Sequence, residues 1–167
     1  ETGEEFTVRQ ALMAVMLESA NEVSLGIAEK TSGSAKKFVE LMNRRARQLG
    51  CTNTHFNNPH GLPDETHYTT ANDMAKIAKA AWFNPLFRKF VTREYFEIPP
   101  TNMQPETRYL LNHHQMMEGR DHAYEGVLGG KTGYTTVAGS TLVTFAKRGN
   151  TILLCVVLNS VNGAYSD

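Results

Sequence analysis

Apolar residues recur three and four positions apart through the first part of the chain, a spacing that predicts amphipathic helices. The first helical pattern begins after Thr7, a favourable N-cap, and should stop near residues 18–21. A second pattern covers about residues 22–29. A third follows Ser34, which we expect to cap it, and ends before Gly50. Three consecutive helices are therefore predicted.

Two further helices are predicted in the middle of the chain, after a shaped loop. Residues 57–63 contain two prolines and a glycine, which together favour a tight, irregular turn. Thr70 and Asp73 have the spacing of a capping box, which predicts an alanine-rich helix behind them. The Asn-Pro pair at residues 84–85 should end that helix, and a short helix should follow over residues 86–91.

The last third of the chain changes to patterns that are typical of strands. Residues 94–98 predict a strand, and residues 99–106 predict an irregular polar connection. Residues 140–147 and 151–159 predict a hairpin around a turn at residues 148–150. Because helices come first and strands last, we expect an α+β domain in which helices cover an antiparallel sheet.

Composition and charge narrow the classes of function. Lys plus Arg and Asp plus Glu number 17 each, so no basic surface predicts a nucleic-acid partner. The longest apolar run, residues 152–158, is far shorter than the roughly 18 to 20 residues that span a bilayer. Cys51 and Cys155 lie far apart, and we interpret both as buried small apolar residues. We expect a vector-like or disordered start over residues 1–5 and one domain over residues 6–167.

Three histidines raise the question of a metal site. His113, His114 and His122 show no familiar ligand spacing with a carboxylate or a cysteine, which favours solvated loop histidines. We therefore expect no metal and no other cofactor.

The stretch GGKTGYT, residues 129–135, carries the most informative chemistry. Lys131 and Thr132 beside glycines would place a cation, a hydroxyl and free backbone N–H groups on one surface, which suits a carboxylate. A glycine-rich turn before a hairpin is the alternative interpretation of this motif alone. Ser19 and Asn21, at a junction of two helices, could offer donors and acceptors to a cleft or could simply stop the first helix.

Ser-x-Asn followed more than a hundred residues later by Lys-Thr-Gly matches two of the three elements in the signature of penicillin-binding proteins and serine β-lactamases. The chain resembles the D-alanyl-D-alanine carboxypeptidases among the low-molecular-weight penicillin-binding proteins. The resemblance covers about residues 6–160, with matching text at residues 40–63, 67–81, 87–91 and 129–135. It implies the fold of penicillin-binding proteins and β-lactamases.

The resemblance also implies an activity and a site. Members of this family use the serine of a Ser-x-x-Lys motif to cleave the terminal D-Ala-D-Ala bond of peptidoglycan stem peptides, and they react with β-lactams. It implies that the protein works outside the cytoplasmic membrane. The implied catalytic residues are Ser19, Asn21 and Lys131, and the implied substrate-binding residues are Thr132, Gly133 and Tyr134.

The chain departs from the family at the nucleophile. The family's Ser-x-x-Lys precedes Ser-x-Asn, whereas the literal match here, Ser34 to Lys37, follows it. We interpret this match as a coincidence, because Ser34 is already expected to cap a helix. We therefore expect a domain that is incomplete at both ends and lacks the nucleophile segment and a C-terminal helix. Its strand edge and apolar sheet face would be covered by a second polypeptide, by self-pairing or by an engineered arrangement.

Two functions remain open at this point. The chain is either part of an active carboxypeptidase that a missing N-terminal segment completes, or a catalytically inactive domain of the same fold. An inactive domain would bind cell-wall peptides or a protein partner without turnover.

Overall fold

The computed structural model describes residues 3–166, in which helices precede strands as predicted. None of these helices is long and apolar enough to cross a bilayer. The helices are α1 (Val8–Glu18), α2 (Asn21–Ser32), α3 (Ala35–Gln48), α4 (Ala71–Trp82) and α5 (Pro85–Val91). The strands are β1 (Tyr95–Ile98), β2 (Arg108–Leu111), β3 (Val127–Thr135), β4 (Gly139–Arg148) and β5 (Thr151–Ser160).

Side-chain caps set most of the helix starts. The hydroxyl oxygens of Thr7 and Ser34 each accept a backbone N–H of the first turn at 3.2 Å, which confirms both predicted caps. Asn84 caps α5, whose first residue is a proline. Helix α2 starts one residue earlier and ends later than the predicted range 22–29. Polar residues at the boundaries therefore satisfy helix N–H groups that would otherwise lack partners.

The predicted capping box at Thr70 forms in part. Thr70 accepts the N–H of Asp73 at 3.2 Å, but the Asp73 carboxylate is directed at the loop after α3. It accepts the N–H of Asn53 at 2.7 Å and the hydroxyl of Thr54 at 2.9 Å. Lys76 pairs with it at 2.9 Å, and this hydrogen bond is the main cause that lowers the pKa of the buried Asp73 carboxyl. Asp73 thus ties α4 to that loop.

The strands form two antiparallel sheets. Strands β3, β4 and β5 pair in that order, with Thr132 opposite Leu142, and β4 and β5 form the predicted hairpin. Strands β1 and β2 form a separate two-stranded sheet. The sequence did not predict β2, whose pairing with β1 is decided across the irregular connection between the two strands. The architecture confirms the predicted α+β class with helices against antiparallel sheets.

Helix α1 packs against both sheets. Met13 and Leu17 are buried in a cluster with Ile98 of β1. Met16, on another face of the helix, packs against a second cluster that contains Phe145 of β4. Both methionines therefore contribute to the core. Burial on two sides fixes where the C-terminal end of α1 lies.

The two cysteines occupy different environments. Cys51 is buried, as predicted, whereas Cys155 is exposed. The prediction for Cys155 was wrong because side chains alternate between the two faces of a strand. Its neighbour Leu154 packs against the Phe145 cluster, so Cys155 faces the other way.

The outer edge of the larger sheet is open within residues 3–166. There β5 pairs with β4 alone, and Ile152 and Leu153 of β5 are exposed. The expectation that a partner covers this edge and an apolar sheet face stays a prediction.

The start of the chain is tied to β2. The side chain of Glu4 is only 2% exposed and forms an ion pair with Arg108. It also accepts the hydroxyl of Thr101 at 2.6 Å. The hydrogen bond from Arg108 is the main cause that lowers the pKa of Glu4 to about 2. Residues 1 and 2 of the expected start segment lie outside the described residues.

We predict that Phe145→Ala lowers the free energy of unfolding by about 3 to 5 kcal/mol, because it removes a buried aromatic ring and leaves a cavity. The ring stacks on Trp82 with centroids 4.5 Å apart and is 1% exposed. Urea unfolding followed by circular dichroism measures the change. Phe83→Ala is the control: Phe83 is 72% exposed, and we expect an effect within about 0.5 kcal/mol. Equal losses in the two variants would contradict the assigned core.

Candidate active site

The Lys-Thr-Gly motif lies inside strand β3. The interpretation as a glycine-rich turn is wrong, because Gly129 through Thr135 are all paired with β4. A Cβ built at Gly130 would lie 1.9 Å from the carbonyl oxygen of Val143. Gly129 has a φ of 144°, and a Cβ there would lie 2.3 Å from the carbonyl oxygen of Val91. The two glycines therefore let β3 approach β4 and the end of α5 more closely than other residues would allow.

Ser19 sits at the C-terminal end of α1 in a left-handed conformation. Its φ is 54° and its ψ is 39°, values that non-glycine residues adopt rarely and at a cost of about 1 to 3 kcal/mol. This conformation ends α1 and leaves the side chain exposed. Asn21 begins α2 two residues later and is half-buried.

Lys131 connects β3 to the end of α1. Its Nζ donates to the Oγ of Ser19 and to the carbonyl oxygen of Thr132, the latter at 2.7 Å. Burial lowers the pKa of Lys131, and the nearby carboxylate of Glu18 opposes that shift. An ammonium with a lowered pKa, bonded to a hydroxyl, is suited to moving a proton to or from that hydroxyl.

A cleft of about 460 Å³ opens beside this contact. That volume falls within the usual range for small-molecule sites. Thr132, Gly133 and Tyr134 line it from β3, while Asn21 is absent from its described lining. The full described lining is Glu18, Ser19, His113, Thr132, Gly133, Tyr134, Ser140, Thr141, Gly163, Ala164 and Tyr165.

Seven of the described lining residues were not singled out for this site from the sequence, and three of them, Glu18, His113 and Tyr165, have side-chain contacts that place them there. Glu18 accepts the N–H of Leu111 at 2.8 Å and contacts Nε2 of His113 at 3.0 Å. Tyr165 accepts the N–H of Gln115 at 2.9 Å through its hydroxyl oxygen. Each of the three is brought to the cleft by a contact over 50 or more residues, so no local pattern marks them.

His114 is buried, which corrects the prediction of a solvated loop histidine. It is 0% exposed, its Nε2 lies 2.8 Å from Oγ1 of Thr144, and its ring packs behind Gly130. Burial lowers the pKa of His114 to about 4. Within the described part of the chain, no group of three or more His, Cys, Asp or Glu could hold a metal ion.

Ser34 has a structural contact of its own. Its Oγ accepts the N–H of Lys37 at 3.2 Å as the cap of α3. Ser34 is not among the described residues that line the cleft, and neither is Lys131, which contacts the lining residue Ser19.

We predict that His114 makes folding sensitive to mild acid. The folded pKa is about 4, below the usual value of 6.5, so the unfolded chain binds more protons between these values. The stability that the neutral ring contributes is therefore lost as the pH falls from about 6.5 towards 4. Urea unfolding at several pH values gives the free energy of unfolding as a function of pH. Between about pH 4 and 6.5 this free energy should rise less steeply with pH for His114→Gln than for the unmodified chain. Identical slopes would contradict a buried neutral His114.

Comparisons with known proteins identify the family of the chain. The D-alanyl-D-alanine carboxypeptidase family, peptidase S11, matches residues 1–162. The chain is 39% identical to the D-alanyl-D-alanine carboxypeptidase DacF of Bacillus subtilis over 160 residues, which cover 96% of this chain and 40% of DacF. It is 32% identical to DacB2 of Mycobacterium tuberculosis, covering 93% of this chain and 52% of that protein.

A solved structure shows the same fold. The Streptomyces K15 DD-transpeptidase superposes with a TM-score of 0.87 at 30% identity, covering 98% of this chain and 65% of that one. The chain thus spans about half the length of the relatives that it matches. On the match over residues 1–162 and on this fold, the chain belongs to the D-alanyl-D-alanine carboxypeptidase family, peptidase S11.

Proposed function

We propose that this chain is part of a serine-type D-Ala-D-Ala carboxypeptidase that trims the terminal D-alanine from peptidoglycan stem peptides. The observation that carries the proposal is the hydrogen bond from Lys131 to Ser19 at a cleft lined by Thr132, Gly133 and Tyr134. This hydrogen bond brings the Ser-x-Asn motif and the Lys-Thr-Gly motif into contact. Such a substrate places the protein in the cell envelope, outside the cytoplasmic membrane.

Strand β3 offers the substrate an extended docking edge. Among the described residues it pairs with β4 alone, so its other edge can hydrogen-bond a peptide as an added strand. Thr132 would bind the terminal carboxylate, and Lys131 would supply the positive field. Gly133 would let the peptide come close, and the N–H of Tyr134 would be one oxyanion donor. A donor of this kind contributes about 2.7 to 4 kcal/mol in the transition state.

Ser19, Lys131 and Asn21 would act on the other side of the scissile bond. A nucleophilic serine hydroxyl adds to the carbonyl carbon of the penultimate D-alanine, and the C–N bond to the last residue breaks. Ser19, bonded to Lys131, would relay a proton to the leaving amine. Asn21 would hydrogen-bond the substrate's peptide group. Water then hydrolyses the ester, which releases the shortened peptide and restores the hydroxyl.

The nucleophilic serine itself would come from a segment outside residues 1–167. Two observations support this: the chain spans only part of its relatives, and Ser34 caps α3 at a place outside the cleft lining. A preceding segment, a second chain or a second copy could bring the serine to the cleft. Without it, the domain would bind cell-wall peptides or a protein partner and turn nothing over.

Intact-mass spectrometry with excess penicillin tests the proposal, since a β-lactam acylates the serine of an active member of this family. We expect one penicillin mass on a serine outside residues 1–167, in a longer chain or a second polypeptide, and none on these residues. An adduct at Ser34 would overturn the assignment of the nucleophile. No adduct on any polypeptide of the natural protein would favour the inactive binding domain.

Lys131→Ala should slow this acylation about 100-fold or more, because the proton relay is lost. The rate of mass gain in the completed protein measures the effect. Lys147→Ala is the matched control, since Lys147 is an exposed lysine on β4 and should acylate at the original rate. If both variants acylate alike, Lys131 has no part in the reaction.

A further inference from the structure

One carboxylate stands in the wall of the cleft. Glu18 is the only acidic residue among its described lining residues. Its Oε1 accepts the N–H of Leu111 at 2.8 Å, and its Oε2 lies 3.0 Å from Nε2 of His113. The Glu18 side chain remains 35% exposed. The carboxylate is therefore held in place while still accessible to a bound ligand.

A ligand that carries only negative charge does not complement the charges around the cleft. Lys131 and Thr132 suit a terminal carboxylate, but Glu18 directly precedes Ser19, which contacts Lys131. A carboxylate bound at β3 would be repelled by Glu18 across the cleft. A ligand that carries an anion at one point and a cation at another satisfies both sides.

We propose that Glu18 is a specificity-determining residue that binds a free amino group on the residue preceding D-Ala-D-Ala. This inference rests on the proposed function of the cleft. Two extended residues span about 7 Å. The side chain of the residue before D-Ala-D-Ala would therefore lie about that far from the terminal residue, whose carboxylate binds Thr132. A lysine-like side chain, with its flexible four-carbon stem, can then cross the cleft to Glu18.

The contact with His113 leaves Glu18 free to exchange partners. The His113 side chain is 57% exposed, and its imidazole carries a charge only when protonated. An ammonium is charged and has three donors, so its hydrogen bond to a carboxylate is the stronger one. The N–H of Leu111 can stay on Oε1 while the ligand takes Oε2. Binding of the amine thus requires no movement of α1.

Titration of the ¹⁵N-labelled 167-residue chain with two peptides tests the inference. One is Nα-acetyl-Lys-D-Ala-D-Ala, with a free amine, and the other is its Nε-acetylated form, in which that charge is absent. Both should shift the amide signals of residues 131–134. We expect about three- to fivefold tighter binding of the free-amine peptide, as for a partly exposed ion pair, and a smaller ratio at high salt.

Two variants identify the group responsible. Glu18→Gln should bring the affinity ratio to about 1, while the affinity for the acetylated peptide changes less than about twofold. Glu22→Gln is the matched control, because Glu22 is an exposed acid in the first turn of α2 and outside the described lining. It should keep the original ratio. Circular dichroism verifies that each variant is folded.

The outcomes separate this inference from the proposed function. Equal affinities of the unmodified chain for the two peptides overturn the role of Glu18 and leave the D-Ala-D-Ala site standing. A ratio that survives in Glu18→Gln overturns it as well. If neither peptide shifts the signals of residues 131–134, the proposed function fails, and this inference fails with it.

Discussion

The contact between the Lys131 ammonium and the Ser19 hydroxyl is the constraint on which the site depends. It joins the middle of β3 to the last turn of α1, two elements that are 112 positions apart in sequence. Its geometry is set by packing on either side. Helix α1 is held by Met13 in one cluster and by Met16 against the other. Strand β3 is held at short distance by Gly129 and Gly130, where any Cβ would meet backbone atoms.

The electrostatics of the site follow from that packing. Burial lowers the pKa of Lys131, and its described hydrogen-bond partners are uncharged oxygens. Glu18 partly offsets the shift from a neighbouring position and is itself held by β2. His114, which packs behind Gly130, is kept neutral by burial. Glu18 on α1 therefore places a carboxylate in the wall of the cleft, Lys131 on β3 places a cation beside it, and the neutral His114 lies behind the strand.

Open strand edges give the larger sheet two different roles. The edge of β3 borders the cleft and can accept an extended peptide. The edge of β5 carries the exposed Ile152 and Leu153. Backbone groups on each open edge need a partner strand or water. Because the side chains beside the two edges differ, the two edges favour different contacts. The β3 edge, which borders the polar side chains of the cleft, is the one that we propose for the peptide.

Much of the fold could be predicted because its signals are local. The caps at Thr7 and Ser34, the helical periodicity between them and the hairpin around residues 148–150 all lie within a few residues of what they determine. The four-residue β2 could not be predicted, since its pairing with β1 is decided across a long connection. The burial of His114 and the exposure of Cys155 were also decided by packing, which no neighbouring residue reveals.

The candidate site, like the fold, could be predicted from the sequence only in part. The sequence by itself determined that Ser19, Asn21 and the Lys131 motif are present in the right order, because short motifs preserve chemistry in residue type and spacing. Only the tertiary structure decided that Lys131 reaches Ser19, and that Glu18, His113 and Tyr165 lie in the wall of the cleft. The physical reason is that these contacts depend on how α1 and the loops around β2 pack, which is a property of the whole core.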